Sequence, residues 1–218
     1  MCGRGVRPEG VEIVESITAD VVDPEVLALP ARSNLAPTDP LAVLRRDARG
    51  RHLVLARWGV PRHGGGGIVI NARDDRLRGP MWRTMLARGR AVVPLRAFYE
   101  WQRPQRQPWL FRRRDGQLLL LAGLLLEDAE GLHAAIVTTS PSGDIGGIHD
   151  RMPAVLEPDM VEPWLHGGDP DMLAALVHPA ADGTLERYAV GKQVNDVKNQ
   201  GPELLEPVAP IATQGELF

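Results

Sequence analysis

Apolar residues in this chain fall into short runs separated by glycine, proline and charged positions, and their spacing changes along the sequence. Leu41 to Arg46 and His52 to Trp58 are aliphatic and β-branched runs flanking a polar, glycine-containing turn, the pattern of a β-hairpin. Leu118 to Leu126 and Leu132 to Thr139 repeat that pattern, while Ala91 to Pro94, Ala97 to Gln102, Trp109 to Arg113, Met152 to Leu156 and Tyr188 to Val190 read as further strands. Val69 and Ile70 lead into Asn71-Ala72-Arg73. Helical spacing is confined to Met81 to Arg88, Asp159 to Leu165 behind Pro158, and Pro170 to Val177, which starts on proline and acids. Many short strands with a few short helices, and no regular β-α alternation, predict an α+β fold: a mainly antiparallel sheet or barrel with short flanking helices.

Length and composition narrow this picture. The chain has 218 residues, 44% of them apolar, with no low-complexity linker and no internal repeat, so one compact domain is expected over residues 1–208, followed by a tail, 209–218. The longest apolar stretch, Gln117 to Leu126, is far shorter than the roughly 18 residues of a membrane-spanning helix and reads as a buried strand. The opening residues MCGRGVRPEG carry no secretion signal, and the single cysteine cannot form an internal disulfide; both fit the cytoplasm.

Net charge is −3, which taken alone argues against a nucleic-acid partner, but the charge is segregated. Arg76 to Arg114 contains eleven arginines and one acid, Glu100, whereas from Asp115 onward four basic residues face seventeen acids. Such a block predicts a basic surface for a polyanion; the competing reading pairs these arginines with the acidic C-terminal third.

Three residues stand out chemically. Removal of Met1 would leave Cys2 as the first residue, with a thiol beside an α-amine of ordinary pKa about 7.7–8.0. The amine can condense with an aldehyde to an imine, and the thiol can then close a five-membered thiazolidine with the advantage of an intramolecular attack; otherwise Cys2 is a small residue without a role. Glu100, in Phe98-Tyr99-Glu100-Trp101, shares a strand face with Phe98, while Tyr99 and Trp101 share the other. Apolar rings would raise its pKa and arginines lower it, leaving a proton shuttle or a structural ion pair. His149, in Ile148-His149-Asp150-Arg151-Met152-Pro153, is either an acid-base group near neutrality or a hydrogen-bonded structural histidine. No CxxC or HExxH spacing supports a metal, and Gly64 to Gly67 lacks the lysine and following helix of a phosphate loop, so no cofactor is expected.

Seven segments in order, Met1-Cys2-Gly3-Arg4, Asn34-Leu35-Ala36-Pro37-Thr38, Arg57-Trp58-Gly59, Ile70-Asn71-Ala72-Arg73, Val93-Pro94 with Phe98-Tyr99-Glu100-Trp101, Ile148 to Pro153, and Val194-Asn195 onward to Pro202-Glu203-Leu204, resemble the SOS-response-associated peptidase family of abasic-site processing proteins. The resemblance implies that Cys2 forms a thiazolidine with the opened abasic sugar after Met1 is removed. Asn71 would position the new N-terminus, Glu100 would shuttle protons, and His149 would assist ring closure and reversal. Arg4, Arg73 and Arg151 would grip phosphates, and Asn34, Trp101 and Thr138 would line the DNA channel. The implied partner is single-stranded DNA carrying abasic sites, met by a monomer associated with the bacterial nucleoid; the family also implies peptidase action on Met1 and lyase-type chemistry.

One departure concerns Trp58-Gly59-Val60-Pro61, which runs into Arg62-His63 and the glycines where relatives carry a further Trp. Base stacking there is weaker or falls to His63 or Trp109. The end of the chain, Gln214-Gly215-Glu216-Leu217-Phe218, resembles the QxxLF peptide that docks on the replication sliding clamp, with an inert tail as the alternative. Two rival functions remain at this level: an N-terminal-nucleophile hydrolase of the glutamine amidotransferase kind, in which the thiol attacks an amide, and a non-covalent single-strand DNA-binding module.

Overall fold

The structure is a computed structural model that describes residues 3–62 and 64–211. It opens with strand β1 (Gly5–Arg7), helix α1 (Gly10–Ser16), strand β2 (Val21–Val22) and helix α2 (Pro24–Leu27). Strand β3 (Arg32–Leu35) leads to the hairpin of β4 (Pro40–Asp47) and β5 (Gly50–Trp58), then to a small ribbon of β6 (Val60–Pro61) and β7 (Ile68–Val69). Strand β8 (Asn71–Arg73) precedes helix α3 (Pro80–Arg88). The strands β9 (Arg90–Leu95), β10 (Ala97–Gln102), β11 (Gln107–Arg113), β12 (Leu119–Asp128), β13 (Gly131–Thr139) and β14 (Met152–Pro153) follow. Helices α4 (Val161–His166) and α5 (Pro170–Ala175) and strand β15 (Leu185–Ala189) come last, before single turns of 3-10 helix at Lys192–Asn195 and Pro202–Leu205.

The fold is α+β, as predicted. β12, β9, β4 and β5 lie side by side, and β13 pairs with both β12 and β5, so the sheet closes into a five-stranded barrel. Both faces of the barrel strands are buried. Leu41, Val43, Val54, Ala56, Ala91, Val93, Leu119, Leu121, Ala134 and Ile136 fill one apolar cluster. The alternating Ala42, Leu44, Leu53, Val92, Ala122, Leu124, Ala135 and Val137 pack in another with Ile13, Val26, Leu86 and Trp164 from the helices. Burial on both faces explains why Gln117 to Leu126 reads as an unbroken apolar run and not as an alternation.

A second sheet, in the order β15-β11-β10-β1-β3, packs Phe98 and Phe111 into the first of these clusters as a stacked pair with centroids 5.1 Å apart, a contact worth roughly 1 kcal/mol beyond its buried area. Its other face holds Val6, Tyr99 and Leu110 under Val190, Val194 and Leu205 of the C-terminal segment. The alternation read from Phe98 to Trp101 is therefore correct, and the packing makes the Phe98 face the inner one.

Several expectations are corrected in detail. The strand expected over Met152 to Leu156 ends at Pro153 because the segment changes partner: Ala154 still donates to the Val137 carbonyl of β13 at 2.9 Å, but Val155 bridges Leu121 and Leu156 donates to the Leu120 carbonyl of β12 at 2.7 Å. The helix from Asp159 begins as a 3-10 turn, Pro158–Met160. The N-terminal helices α1 and α2 were not predicted. They are short, and Gly10 lets them touch: a Cβ there would lie 1.8 Å from the carbonyl oxygen of Val26.

Part of the arginine block is mixed with the acids in three dimensions. Arg78 pairs with Asp171, Arg112 with Glu186, Arg113 with Asp115 and Glu157, and Arg96 with Glu12. Arg90 and Arg114 donate to main-chain carbonyls. Arg76, Arg83, Arg88, Arg103 and Arg106 form no ion pair among the described residues. No helix of the described residues is long and apolar enough to cross a membrane.

Candidate functional site

β10 carries Glu100 to the end of its strand on the inner, Phe98 face, and there the carboxyl is buried with only 2% of the residue exposed. Trp109 of β11 is its register partner and stands beside it. Burial pushes the Glu100 carboxyl up to about 7, against a hydrogen bond from the Trp101 main chain that pulls it down. Desolvation is the largest influence and outweighs the charge and hydrogen bonds that lower the carboxyl, so it decides the balance that the sequence left open.

His149 comes from the loop between β13 and β14 and places Nε2 3.8 Å from Oε2 of Glu100. Two groups of Arg151 meet its Nδ1: the main-chain N–H donates to it at 3.0 Å when that nitrogen is unprotonated, and the carbonyl, 3.2 Å away, accepts when it is protonated. The shorter contact favours the tautomer with its proton on Nε2, facing the carboxyl. The exposed Asp150 carboxylate also lies 3.0 Å from Nδ1 and accepts from it whenever that nitrogen carries a proton. Burial holds the imidazole below the usual histidine range, so the neutral ring is favoured, with Nε2 as the nitrogen that faces Glu100.

The histidine loop is held from both sides. Upstream, Arg187 of β15 donates Nη1 to the carbonyls of Asp144 and Gly146 at 2.6 and 3.1 Å, with its guanidinium over the Trp109 ring at 5.7 Å. Trp109 in turn donates Nε1 to Gln102 Oε1 at 3.0 Å. Downstream, the Arg151 side chain donates Nη2 to Asp74 Oδ1 at 2.7 Å and to the Thr138 carbonyl at 2.5 Å.

The other expected residues divide by exposure. Asn71 is buried at the start of β8, which runs parallel to β13 with Asn71 opposite Ile136 and Arg73 opposite Thr138. Arg73 is half exposed and paired with Asp75 at 2.8 Å. Thr138 and Asn34 have no exposed surface. Asn34 is instead a clasp for the C-terminal segment: its Nδ2 lies within 3.2 Å of the carbonyls of Val194, Asp196 and Asn199. Arg4 donates Nη1 to Asn34 Oδ1 at 2.7 Å and to the Val194 carbonyl at 2.6 Å. Trp101 completes the clasp by donating Nε1 to Asn195 Oδ1 at 2.7 Å.

Glu100 and His149 are therefore brought together, while Arg4, Asn34 and Trp101 meet at the C-terminal segment. Sequence reading missed Asp74, Arg187 and Gln102; Asp74 directly follows the Asn71-Ala72-Arg73 segment, and that adjacency was the available signal. Cys2, His63 and the tail residues Gln214, Leu217 and Phe218 lie outside the described residues. No cluster of three potential metal ligands occurs among the described residues.

Residues 1–197 match the family model described as SOS response associated peptidase (SRAP). The chain is 33% identical over 223 residues to "Abasic site processing protein YoqW" of Bacillus subtilis (strain 168), spanning 94% of this chain and 99% of that protein. It is 30% identical over 232 residues to "Abasic site processing protein YedK" of Escherichia coli (strain K12), spanning 95% and 100%. A crystal structure of a protein from Bacteroides thetaiotaomicron superposes with a TM-score of 0.77 at 16% identity, over 96% of this chain and all of that one, a likeness of fold.

Proposed function

The chain belongs to the SOS response associated peptidase family, and on that premise we propose that it processes abasic sites in single-stranded DNA, capturing the aldehyde of the opened deoxyribose on Cys2 as a covalent thiazolidine. The observation that carries this reading is the buried Glu100 carboxyl facing the imidazole of His149 at 3.8 Å, on the strand that pairs with β1. The Tyr99 N–H donates to the Arg4 carbonyl at 3.1 Å, and Cys2 precedes Arg4 by two residues. At no more than ~3.6 Å per residue, this short separation in sequence supports Cys2 as the nucleophile for the pair.

The chemistry balances without an external reagent. With Met1 removed by hydrolysis of its peptide bond, the Cys2 amine adds to the sugar aldehyde, and the carbinolamine loses water to become an imine. The thiol then adds across the C=N bond, its proton passing to nitrogen, and closes the ring with one water released overall. A carboxyl that titrates near 7 accepts the amine proton and returns it to the departing hydroxyl with little cost in either direction. The Nε2–H of neutral His149 serves as donor to a sugar oxygen, during closure and in the reverse lyase-type step. Arg73, half exposed at the end of β8, supplies a phosphate contact.

Mixing the protein with a uracil-excised oligonucleotide and running a denaturing gel tests this directly. A heat-stable shifted band is expected, lost in Cys2→Ala while reversible binding of undamaged strand persists. Absence of the band with wild-type protein whose mass shows Met1 removed, or an equal band in Cys2→Ala, overturns the reading.

A further inference from the structure

We propose that Asp74 is a positioning residue for His149, acting through Arg151 to fix which ring nitrogen of the histidine faces Glu100. The step from Asp74 to a catalytic role rests on the function proposed above; the geometry itself does not.

Asp74 opens the 3-10 turn Asp74–Arg76 directly after β8, whose pairing of Arg73 with Thr138 sets it beside the end of β13. Its two carboxylate oxygens divide their work. Oδ1 accepts from Arg151 Nη2 at 2.7 Å and from the Asp75 N–H at 2.7 Å, while Oδ2 accepts from the Thr139 hydroxyl at 2.9 Å. The Arg151 guanidinium is also tied to the Thr138 carbonyl, and its side chain is only 11% exposed. An arginine pinned in this way spans the end of β13, and its main chain meets His149 Nδ1 twice, with the N–H donating at 3.0 Å and the carbonyl 3.2 Å away.

The chain of contacts therefore runs from the Asp74 carboxylate to the Arg151 side chain, through the Arg151 main chain to Nδ1, and across the ring to Nε2 facing Glu100. A buried carboxylate that orients a histidine by way of its second nitrogen is a general device for fixing tautomer and ring angle. Here an arginine is interposed, so the Asp74 charge does not touch the ring; the exposed Asp150 carboxylate, 3.0 Å from Nδ1, is the acid that does. Burial pushes Asp74 up, but the hydrogen bonds from Arg151 and Thr139 outweigh it and keep the carboxyl below the usual range; the brace stays charged at neutral pH. The same contacts leave Arg151 committed within the fold, so its contribution is orientation before phosphate contact.

The test uses the full-length protein with Asp74→Asn, which keeps shape and an acceptor for Thr139, and Asp74→Ala. Imidazole ¹⁵N shifts, assigned by comparison with His149→Gln, report the tautomer directly. Wild type is expected to show the Nε2–H form, and both variants a mixture. Single-turnover adduct formation is expected to fall roughly tenfold, the order a small misplacement costs, with affinity for undamaged strand not weakened. Retention of the pure Nε2–H tautomer in both variants overturns the proposal, as does a rate loss fully accounted for by weaker DNA binding. Should Asp74→Ala fail to fold, Asp74→Asn decides alone. If wild type forms no adduct, the functional reading falls while the tautomer measurement still decides the brace.

Discussion

His149 presents Nε2 to Oε2 of Glu100 across 3.8 Å, joining a loop histidine to a carboxyl on the inner face of the second sheet. Burial drives the two groups in opposite electrical senses: it favours the neutral acid and the neutral imidazole alike, raising one and lowering the other. Each then sits close to neutrality in its uncharged form.

A stability signature follows. Native Glu100 keeps its proton up to about 7, whereas its ordinary value is 4.5. Between these values the native state binds more protons than the unfolded chain, so its contribution is full below about pH 4.5 and is lost as pH rises through about 7. His149, lowered by burial, acts with the opposite sign as pH falls below its ordinary value of 6.5. Comparing wild type with Glu100→Gln isolates the carboxyl. The variant is expected to match wild type near pH 4 and to exceed it by about 1–3 kcal/mol at pH 8, read from urea midpoints. Parallel curves across the range would refute the raised pKa.

The same substitution bears on chemistry. Glutamine preserves size but moves no proton, so adduct formation by Glu100→Gln is expected to slow by roughly 10²–10⁴. Wild-type rates should decline on the acid side of about pH 7, where Glu100 is protonated and no longer accepts, and the variant should lack that limb. A variant with the wild-type profile would take Glu100 out of the mechanism.

Asn34 and Arg73 should separate cleanly. Asn34→Ala strips the clasp from buried carbonyls at Val194, Asp196 and Asn199, and a loss of roughly 2–4 kcal/mol is expected in equilibrium unfolding. Arg73→Ala touches only an exposed pair with Asp75, so the unfolding midpoint should stay at the wild-type value. Its effect belongs to DNA binding, where the slope of log affinity against log salt should fall by about 1. Equal destabilisation by the two would contradict the burial difference.

Gly10→Ala probes the contact between α1 and α2. A methyl group there meets the Val26 carbonyl, which is main chain and cannot rotate away, and the helices must separate at a cost of about 1–3 kcal/mol. Differential scanning calorimetry checks it; an unchanged Tm would mean that the two helices do not pack at this distance.

Legibility differed by element. The two long hairpins were readable because their strands are continuous apolar runs bounded by polar turns, a strong local signal. Helices α1 and α2, with seven and four residues, lack the length for a period to emerge and are stabilised by packing of Ile13 and Val26 into the barrel's outer cluster. The segment resemblance carried Glu100 and His149 to the same site. It did not reveal that Asn34 and Thr138 are buried, since exposure depends on what folds over a residue and not on its neighbours in sequence.

By itself, the sequence determined the strand inventory, the face shared by Phe98 and Glu100, and a cysteine with two possible nucleophiles at position 2. These are local properties, set by side-chain period and covalent chemistry. Tertiary structure alone decided which face of β10 is dry, and hence the direction of the Glu100 shift, because desolvation depends on the Phe98–Phe111 face meeting the barrel. It also decided that only part of the basic block, Arg78, Arg112 and Arg113, would pair with C-terminal acids and that Asp74 would reach Arg151, 77 residues away. Coulombic and hydrogen-bond contacts fall off over a few ångströms of space, a distance that separation along the chain does not encode.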